Sequence, residues 1–273
     1  MKRFGNLLIS FVLIALMFAC TKEGSDIIYS TNNEHIKSIS MDGKIVHKYL
    51  YDHTGKIVEE NSFSYYKKYI YGDNERLVKI ESAFDWRGAS SSAMPVPKTE
   101  FMTSQNSPMN NYTLYEYDKT GRLSKTEFYS NFMLEKFELR STWTYEYKGS
   151  NIVKVNVCDE TGKSIPIYVY AYDKKGNVIN EKYYSNAGHS DSELISETSY
   201  KYDNYKNPFR IFIMSGSPGM NTNVNNIIET SVIRHYEVSG LDKYSTEKRS
   251  YEYNSNSYPV KAFISDNVEE YAY

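Results

Sequence analysis

The doublet Tyr-x-Tyr occurs again and again in this chain, at Tyr49, Tyr69, Tyr115, Tyr145, Tyr170, Tyr200 and Tyr251, and a turn usually follows it. Internal repetition constrains the fold before any single residue is interpreted, because one supersecondary unit must be used many times. The clearest copies are Tyr49-Leu50-Tyr51-Asp52-His53-Thr54-Gly55, Tyr115-Glu116-Tyr117-Asp118-Lys119-Thr120-Gly121 and Tyr170-Ala171-Tyr172-Asp173-Lys174-Lys175-Gly176. Two Tyr one residue apart point to the same face of a strand. Asp suits the first corner of a type I turn, where its side chain accepts a backbone N–H. Gly three residues later suits the left-handed position that closes such a turn with a bulge. The unit is therefore a β-hairpin.

This turn geometry sets a register. With Asp52 opposite Lys56, Tyr51 lies opposite Ile57, Tyr117 opposite Leu123 and Tyr172 opposite Val178. Tyr71 with Leu77 and Tyr147 with Val153 keep the same offset. Aromatic against aliphatic is a favoured cross-strand pair, worth roughly 0.2–1 kcal/mol. Continued without interruption, the register sets Tyr49 against Glu59, Tyr115 against Lys125 and Tyr170 against Asn180. Each first Tyr is then expected to pack its ring and wet its hydroxyl. The opposite face would hold Leu50 with Val58, Ala171 with Ile179 and Glu116 with Ser124, so one face is covered and the other only in places. Asn207-Pro208 and Tyr258-Pro259 follow the last two copies. Proline is confined to edges, strand starts and bulges, so these units are expected to redirect or finish the sheet.

Residues 1–19 read as an export signal. Lys2 and Arg3 precede an apolar or small stretch from Leu7 to Phe18, too short for a stop-transfer helix. Ala19-Cys20 at its end reads as a bacterial lipoprotein signal with the lipid on Cys20, preferred over an ordinary signal peptide with a chance Cys. Residues 20–32 then form a polar tether, and 33–273 one domain. Without residues 1–19 the chain loses Lys2 and Arg3 and no acid, leaving 30 basic against 34 acidic residues, a net −4. No basic cluster stands out, which argues against nucleic acid as a partner. With Cys20 acylated, Cys158 is the remaining thiol, expected to be a small packing residue rather than a nucleophile.

Helical periodicity is weak and β-branched or aromatic alternation dominates. Two stretches rich in Pro, Gly, Ser and Asn, near 88–111 and 215–226, read as long loops. The expected fold is all-β: an antiparallel meander of hairpins forming one twisted or curled sheet, a β-roll or open barrel.

No residue set reaches the standard of an active site. His35, His47, His53, His189 and His235 are scattered without metal-ligand spacing, so no metal or cofactor is expected. No nucleophile elbow or phosphate-binding loop occurs. Glu59-Glu60 and Glu269-Glu270 are adjacent acids whose side chains point to opposite faces of a strand, and are read as solvated surface rather than a glycosidase pair. Asp52, Asp118, Asp159 and Asp173 are each followed three residues later by Gly, and are read as turn residues rather than calcium ligands. Twenty-eight Tyr are the unusual feature. Tyr49, Tyr115, Tyr170, Tyr200 and Tyr251 are a candidate binding surface for glycan or protein; the competing reading, a structural ladder, is preferred on the constant offset.

Tyr-x-Tyr-Asp-x-x-Gly-x-aliphatic resembles the YD repeat of Rhs-type surface proteins and toxin shells. The order of signal, YD-like hairpins, Asp203…Asn207-Pro208-Phe209 and Tyr258-Pro259-Val260 resembles a family of Bacteroidota surface lipoproteins. Gly72 and Lys148 stand where that repeat has its turn Asp. The resemblance implies an all-β domain outside the inner membrane and brings no catalytic residues. The expected function is that of a non-catalytic, lipid-anchored outer-membrane protein binding glycan or protein at the cell surface. An envelope scaffold and, third, a polysaccharide hydrolase are the alternatives.

Overall fold

The computed structural model describes residues 34–85, 100–132, 134–159, 161–185, 193–216, 218–219, 222–236 and 241–273. The export signal, Cys20, the tether, Asn33, residues 86–99 of the first long loop, His189, and residues 217 and 220–221 of the second long loop lie outside them.

Sixteen strands follow in chain order: β1 (Ser38–Met41), β2 (Lys44–Tyr51), β3 (Ile57–Ser62), β4 (Tyr65–Tyr71), β5 (Leu77–Phe84), β6 (Asn111–Tyr117), β7 (Leu123–Ser130) and β8 (Glu138–Lys148). They continue with β9 (Asn151–Cys158), β10 (Ser164–Tyr172), β11 (Val178–Ser185), β12 (Glu193–Tyr202), β13 (Ile227–Arg234), β14 (Lys243–Tyr253), β15 (Pro259–Ile264) and β16 (Asn267–Ala272). Each strand pairs antiparallel with the next, and β16 pairs with β1, from Ser38 opposite Ala272 to Met41 opposite Glu269. The curled sheet expected from the repeats thus closes into a barrel, which leaves no strand edge exposed.

The aromatic–aliphatic pairs form where the register puts them: Tyr51 with Ile57, Tyr71 with Leu77, Tyr117 with Leu123 and Tyr172 with Val178. Tyr147 pairs with Ile152, not Val153. Its loop is shorter than the Asp-x-x-Gly form: Lys148 faces Asn151, and Gly149 takes the left-handed φ of 62° that so tight a turn needs.

Beyond this first pair the uninterrupted register fails. A bulge follows the aliphatic residue in every one of these hairpins, so Tyr49 faces Glu60, Tyr115 faces Thr126 and Tyr170 faces Glu181. On the other face Leu50 meets Glu59, Glu116 meets Lys125 and Ala171 meets Asn180. A one-residue slip exchanges the two faces of a strand, so the bulge decides which acid enters the barrel. It turns Glu60 inward and Glu59 outward.

The tyrosine rows line the inside. Tyr49, Tyr69, Tyr115, Tyr251 and Tyr271 belong to one cluster although their strands are spread around the ring, and such residues meet only across an interior. The interior is also occupied by a segment whose loop near 215–226 and Asn207-Pro208 turn are legible in the sequence, but whose helix and inward course are not. Residues 203–226 join β12 to β13 and carry a 3₁₀-helix, Pro208–Ser215. Asn207 caps it by accepting the Phe209 N–H, Pro208 begins it without needing a donor, and Gly216 ends it at a φ of 72°. Phe212 packs between Tyr49 and Tyr69, and Phe209 packs edge-on against Tyr271. A Cβ on Gly216 would meet the Leu123 side chain at 2.2 Å, so the segment also touches the β7 side of the wall. Pro208 therefore starts a plug, whereas Pro259 opens β15. Ser215 belongs to the helix and Asn111 to β6, which trims both loops.

Candidate functional site

The inner wall has a repeating hydrogen-bond pattern. Tyr51 donates its hydroxyl to the Ile36 carbonyl, Tyr71 to Ile57, Tyr117 to Leu77 and Tyr147 to Leu123, at 2.7 to 2.9 Å. Tyr172 donates to Ile152 and Tyr202 to Val178. Tyr251 donates to Ile227 and Tyr273 to Pro259. In most units the second tyrosine thus bonds the aliphatic residue of the hairpin before it. Tyr271-Ala272-Tyr273 is a further doublet, marked by no turn after it. Tyr253 departs from the pattern and donates to the Asp203 carboxylate.

Three of the first tyrosines are buried, and Tyr115, Tyr145, Tyr200 and Tyr251 are half-buried. Tyr49 and Tyr69 are each 5% exposed, and Tyr170 is 8% exposed. Burial drives the phenol pKa of Tyr49 and Tyr69 well above its ordinary value, and the negative charge of Glu60 adds to the shift. Tyr49, Tyr115, Tyr170, Tyr200 and Tyr251 accordingly do not form an outer docking face. They belong to the interior, Tyr170 and Tyr200 in a second cluster beside Val155 and Val178.

What the interior does contain is a cavity of about 640 Å³, on one side of the plug. Glu60, 7% exposed, lines it. Its Oε1 accepts the Tyr65 hydroxyl at 2.5 Å, and its Oε2 accepts Lys67 Nζ and the Tyr69 hydroxyl, both at 3.0 Å. Tyr65 also meets His47 Nδ1 at 3.2 Å. Burial lowers the His47 pKa, against the opposing pull of Glu60 and Glu269. Glu269 accepts the Tyr271 hydroxyl at 2.6 Å, and Arg249 is held by Glu247 at 2.7 Å. The sequence contained a signal for this site, since one acid of each adjacent pair enters the cavity. Glu59 instead accepts from Tyr66, and Glu270 pairs with Lys261. The solvated-surface reading holds for Glu270 and fails for Glu60.

The turn aspartates do turn chemistry. Asp52 Oδ1 accepts the N–H groups of Thr54 and Lys56, and Asp118, Asp159 and Asp173 do the same in their own loops. The Thr120 hydroxyl, then the Arg122 N–H, hold the Asp118 carboxyl well below the usual carboxylate range. Cys158 is half-buried at the end of β9. Among the described residues no group of His, Cys, Asp and Glu is arranged to hold a metal ion.

The outer wall is ionic. Glu116 pairs with Lys125, Glu146 with Lys154, Lys182 with Glu197, Lys201 with Glu229 and Lys261 with Glu270, all on the face opposite the tyrosines. A barrel that crosses a bilayer carries an apolar outer band about 25 Å tall, and each midplane Lys or Arg on that face costs roughly 2–4 kcal/mol. Polar wall outside and aromatic wall inside define a water-facing, sixteen-stranded antiparallel barrel with a plugged, partly open lumen.

No family model matches the chain, and no curated protein matches it. Among solved structures it is similar to a porin-like protein from Bacteroides vulgatus ATCC 8482, with a TM-score of 0.41 and 9% identity over 88% of this chain and 98% of that one. It is similar to a porin-like protein from Bacteroides uniformis ATCC 8492 with a TM-score of 0.34 and 12% identity, over 90% of this chain and 99% of that one. A structure described as TcdB2-TccC3-TEV matches with a TM-score of 0.31 and 14% identity, over 80% of this chain and 10% of that one. Likenesses at these scores carry no argument about what the barrel does.

Proposed function

We propose that this chain is a non-catalytic, lipid-anchored envelope protein whose barrel binds a glycan in its interior. The observation that carries the reading is the 640 Å³ cavity, a volume typical of small-ligand sites. Its lining alternates tyrosine rings with Lys67, Arg249, Glu60, Glu269, Ser82 and Thr113. Ring faces pack against sugar C–H surfaces, and the alternating donors and acceptors suit hydroxyl groups. The cations already face carboxylates, so the cavity favours a neutral ligand over a strongly charged one. The anchor rests on the apolar stretch ending at Ala19-Cys20.

The glycan reading is tested with the purified chain on a glycan array, comparing wild type with Lys67→Met. Binding that Lys67→Met weakens supports it, and a uniformly silent array removes it. For the anchor, metabolic labelling with an alkyne fatty acid is expected to mark the wild type and not Cys20→Ser. The ring of phenol-to-carbonyl bonds favours a second reading, a rigid envelope scaffold. That reading is left standing alone if the array is silent.

A further inference from the structure

The inner cavity adjoins a second, chemically different space. A vestibule of about 940 Å³ opens where β5, β7 and the β7–β8 loop end, and it shares Tyr65, Lys67 and Ser82 with the inner cavity. On the inner side of these three residues lie Glu60, Arg249 and Glu269. On the outer side lie Ala83, Phe84, Phe128, Phe132 and Leu134. Phe84 is 46% exposed, and Phe128, Phe132 and Leu134 are exposed to a similar degree. Large apolar side chains gathered in one concave, exposed place mark a binding surface rather than scattered surface residues.

We propose that the ligand is amphiphilic, with a hydroxylated head among Glu60, Lys67 and the lumen tyrosines and an alkyl or acyl tail lying across the vestibule. The inference rests on the glycan reading and adds a class to it: a glycan joined to an aliphatic chain. The shared wall decides the occupant. A tail seated against Phe128 and Leu134 lies on one side of Tyr65, Lys67 and Ser82, and the polar floor with Glu60 lies on the other side of the same three residues. A flat protein partner would cover the rim without using the cavity behind it. The tail is also expected to dominate affinity, because each methylene it buries against the vestibule adds to the binding.

The experiment uses the full chain carrying Cys20→Ser, so that no acyl group of its own competes. Matched glycans are presented free and lipid-linked, alongside plain phosphatidylcholine vesicles. The lipid-linked form is expected to bind at least about tenfold more tightly than its free counterpart. Phe132→Ser with Leu134→Ser, both at exposed positions, is expected to remove that preference and leave free-glycan binding unchanged. Equal binding of free and lipid-linked forms overturns the amphiphile while leaving the glycan reading intact. Equal binding to plain vesicles overturns it in favour of a lipid surface. Silence on every glycan, free and linked, overturns both readings.

Discussion

A tyrosine hydroxyl inside a barrel needs an acceptor, and here the acceptor is most often the backbone of the preceding hairpin. A hydrogen bond of this kind contributes about 0.5–1.5 kcal/mol, whereas a buried carbonyl left without its donor costs about 1–3 kcal/mol. Tyr172→Phe keeps the ring and strands the Ile152 carbonyl, so it is expected to destabilise the fold by about 1–3 kcal/mol in urea denaturation. Tyr172→Phe paired with the exposed Tyr244→Phe gives the control, because Tyr244 is 73% exposed and its change should be near neutral. The same phenols predict an alkaline limit. Burial pushes Tyr145, Tyr147 and Tyr251 up to about 12 from an ordinary 10. Above pH 10 the unfolded chain sheds protons that the folded chain keeps, so the stability they contribute is complete below pH 10 and falls as pH rises toward 12. Tyrosinate absorbance is expected to rise together with loss of the barrel's circular dichroism, and an early rise from an intact barrel would contradict the buried rows.

At the scale of elements, the segment between β12 and β13 is held by a knot of asparagines. Asn177 Oδ1 accepts the N–H groups of Val224 and Asn225 at 2.8 and 3.0 Å, and Asn223 Oδ1 accepts the Val178 N–H at 2.8 Å. Asn207 Nδ2 donates to the Asn223 carbonyl at 3.0 Å, and Asp203 takes both the N–H and the side chain of Asn226. Asn177→Ala is expected to speed amide exchange at Val224 and Asn225 while the strand amides of β2 and β3 stay protected. Phe212→Ala empties the space between Tyr49 and Tyr69 and is expected to cost about 3–5 kcal/mol by chemical denaturation. Sequence alone gave no access to this element's helix or inward course. Asn and Gly between 215 and 226 signal a loop by their turn preferences, but their amides are used here over long separations, in pairs such as Asn177 with Val224. The hairpins, by contrast, were legible, because Asp52 with Gly55 is a local device. Register beyond the first pair was not, since a bulge leaves no mark on the spacing from Tyr51 to Ile57.

At the scale of the molecule, closure depends on the short β1 and on β16, whose doublet carries no turn signal. Tyr273 bonds Pro259, and Tyr51 bonds Ile36, on either side of the β1–β16 seam. Tyr273→Ala is expected to raise amide exchange first at Ile39 and Tyr271, before the β8–β9 region. The ionic outer wall makes a separate prediction. In detergent phase separation, wild-type chain is expected in the detergent phase and Cys20→Ser in the aqueous phase. Recovery of both in detergent would mean that the barrel itself enters lipid, against the pairs formed by Lys125, Lys154 and Lys261. These charges stand in the sequence, but only the bulges put them outside: an unbroken strand would have carried Lys125 into the lumen.

One turn in this shell departs from all the others. Most hairpins on the Tyr-Asp rim close within a few residues, while the one after Tyr202 sends its chain inward as far as Phe212 before returning at Ile227. One side of the chamber is thus encoded in a single interruption of the cylinder, while Glu60, Lys67 and Arg249 come from its staves. A change at Phe209 or Phe212 would reshape that side of the room while the staves keep the polar contacts, so relatives that differ mainly there would be expected to hold guests of different size.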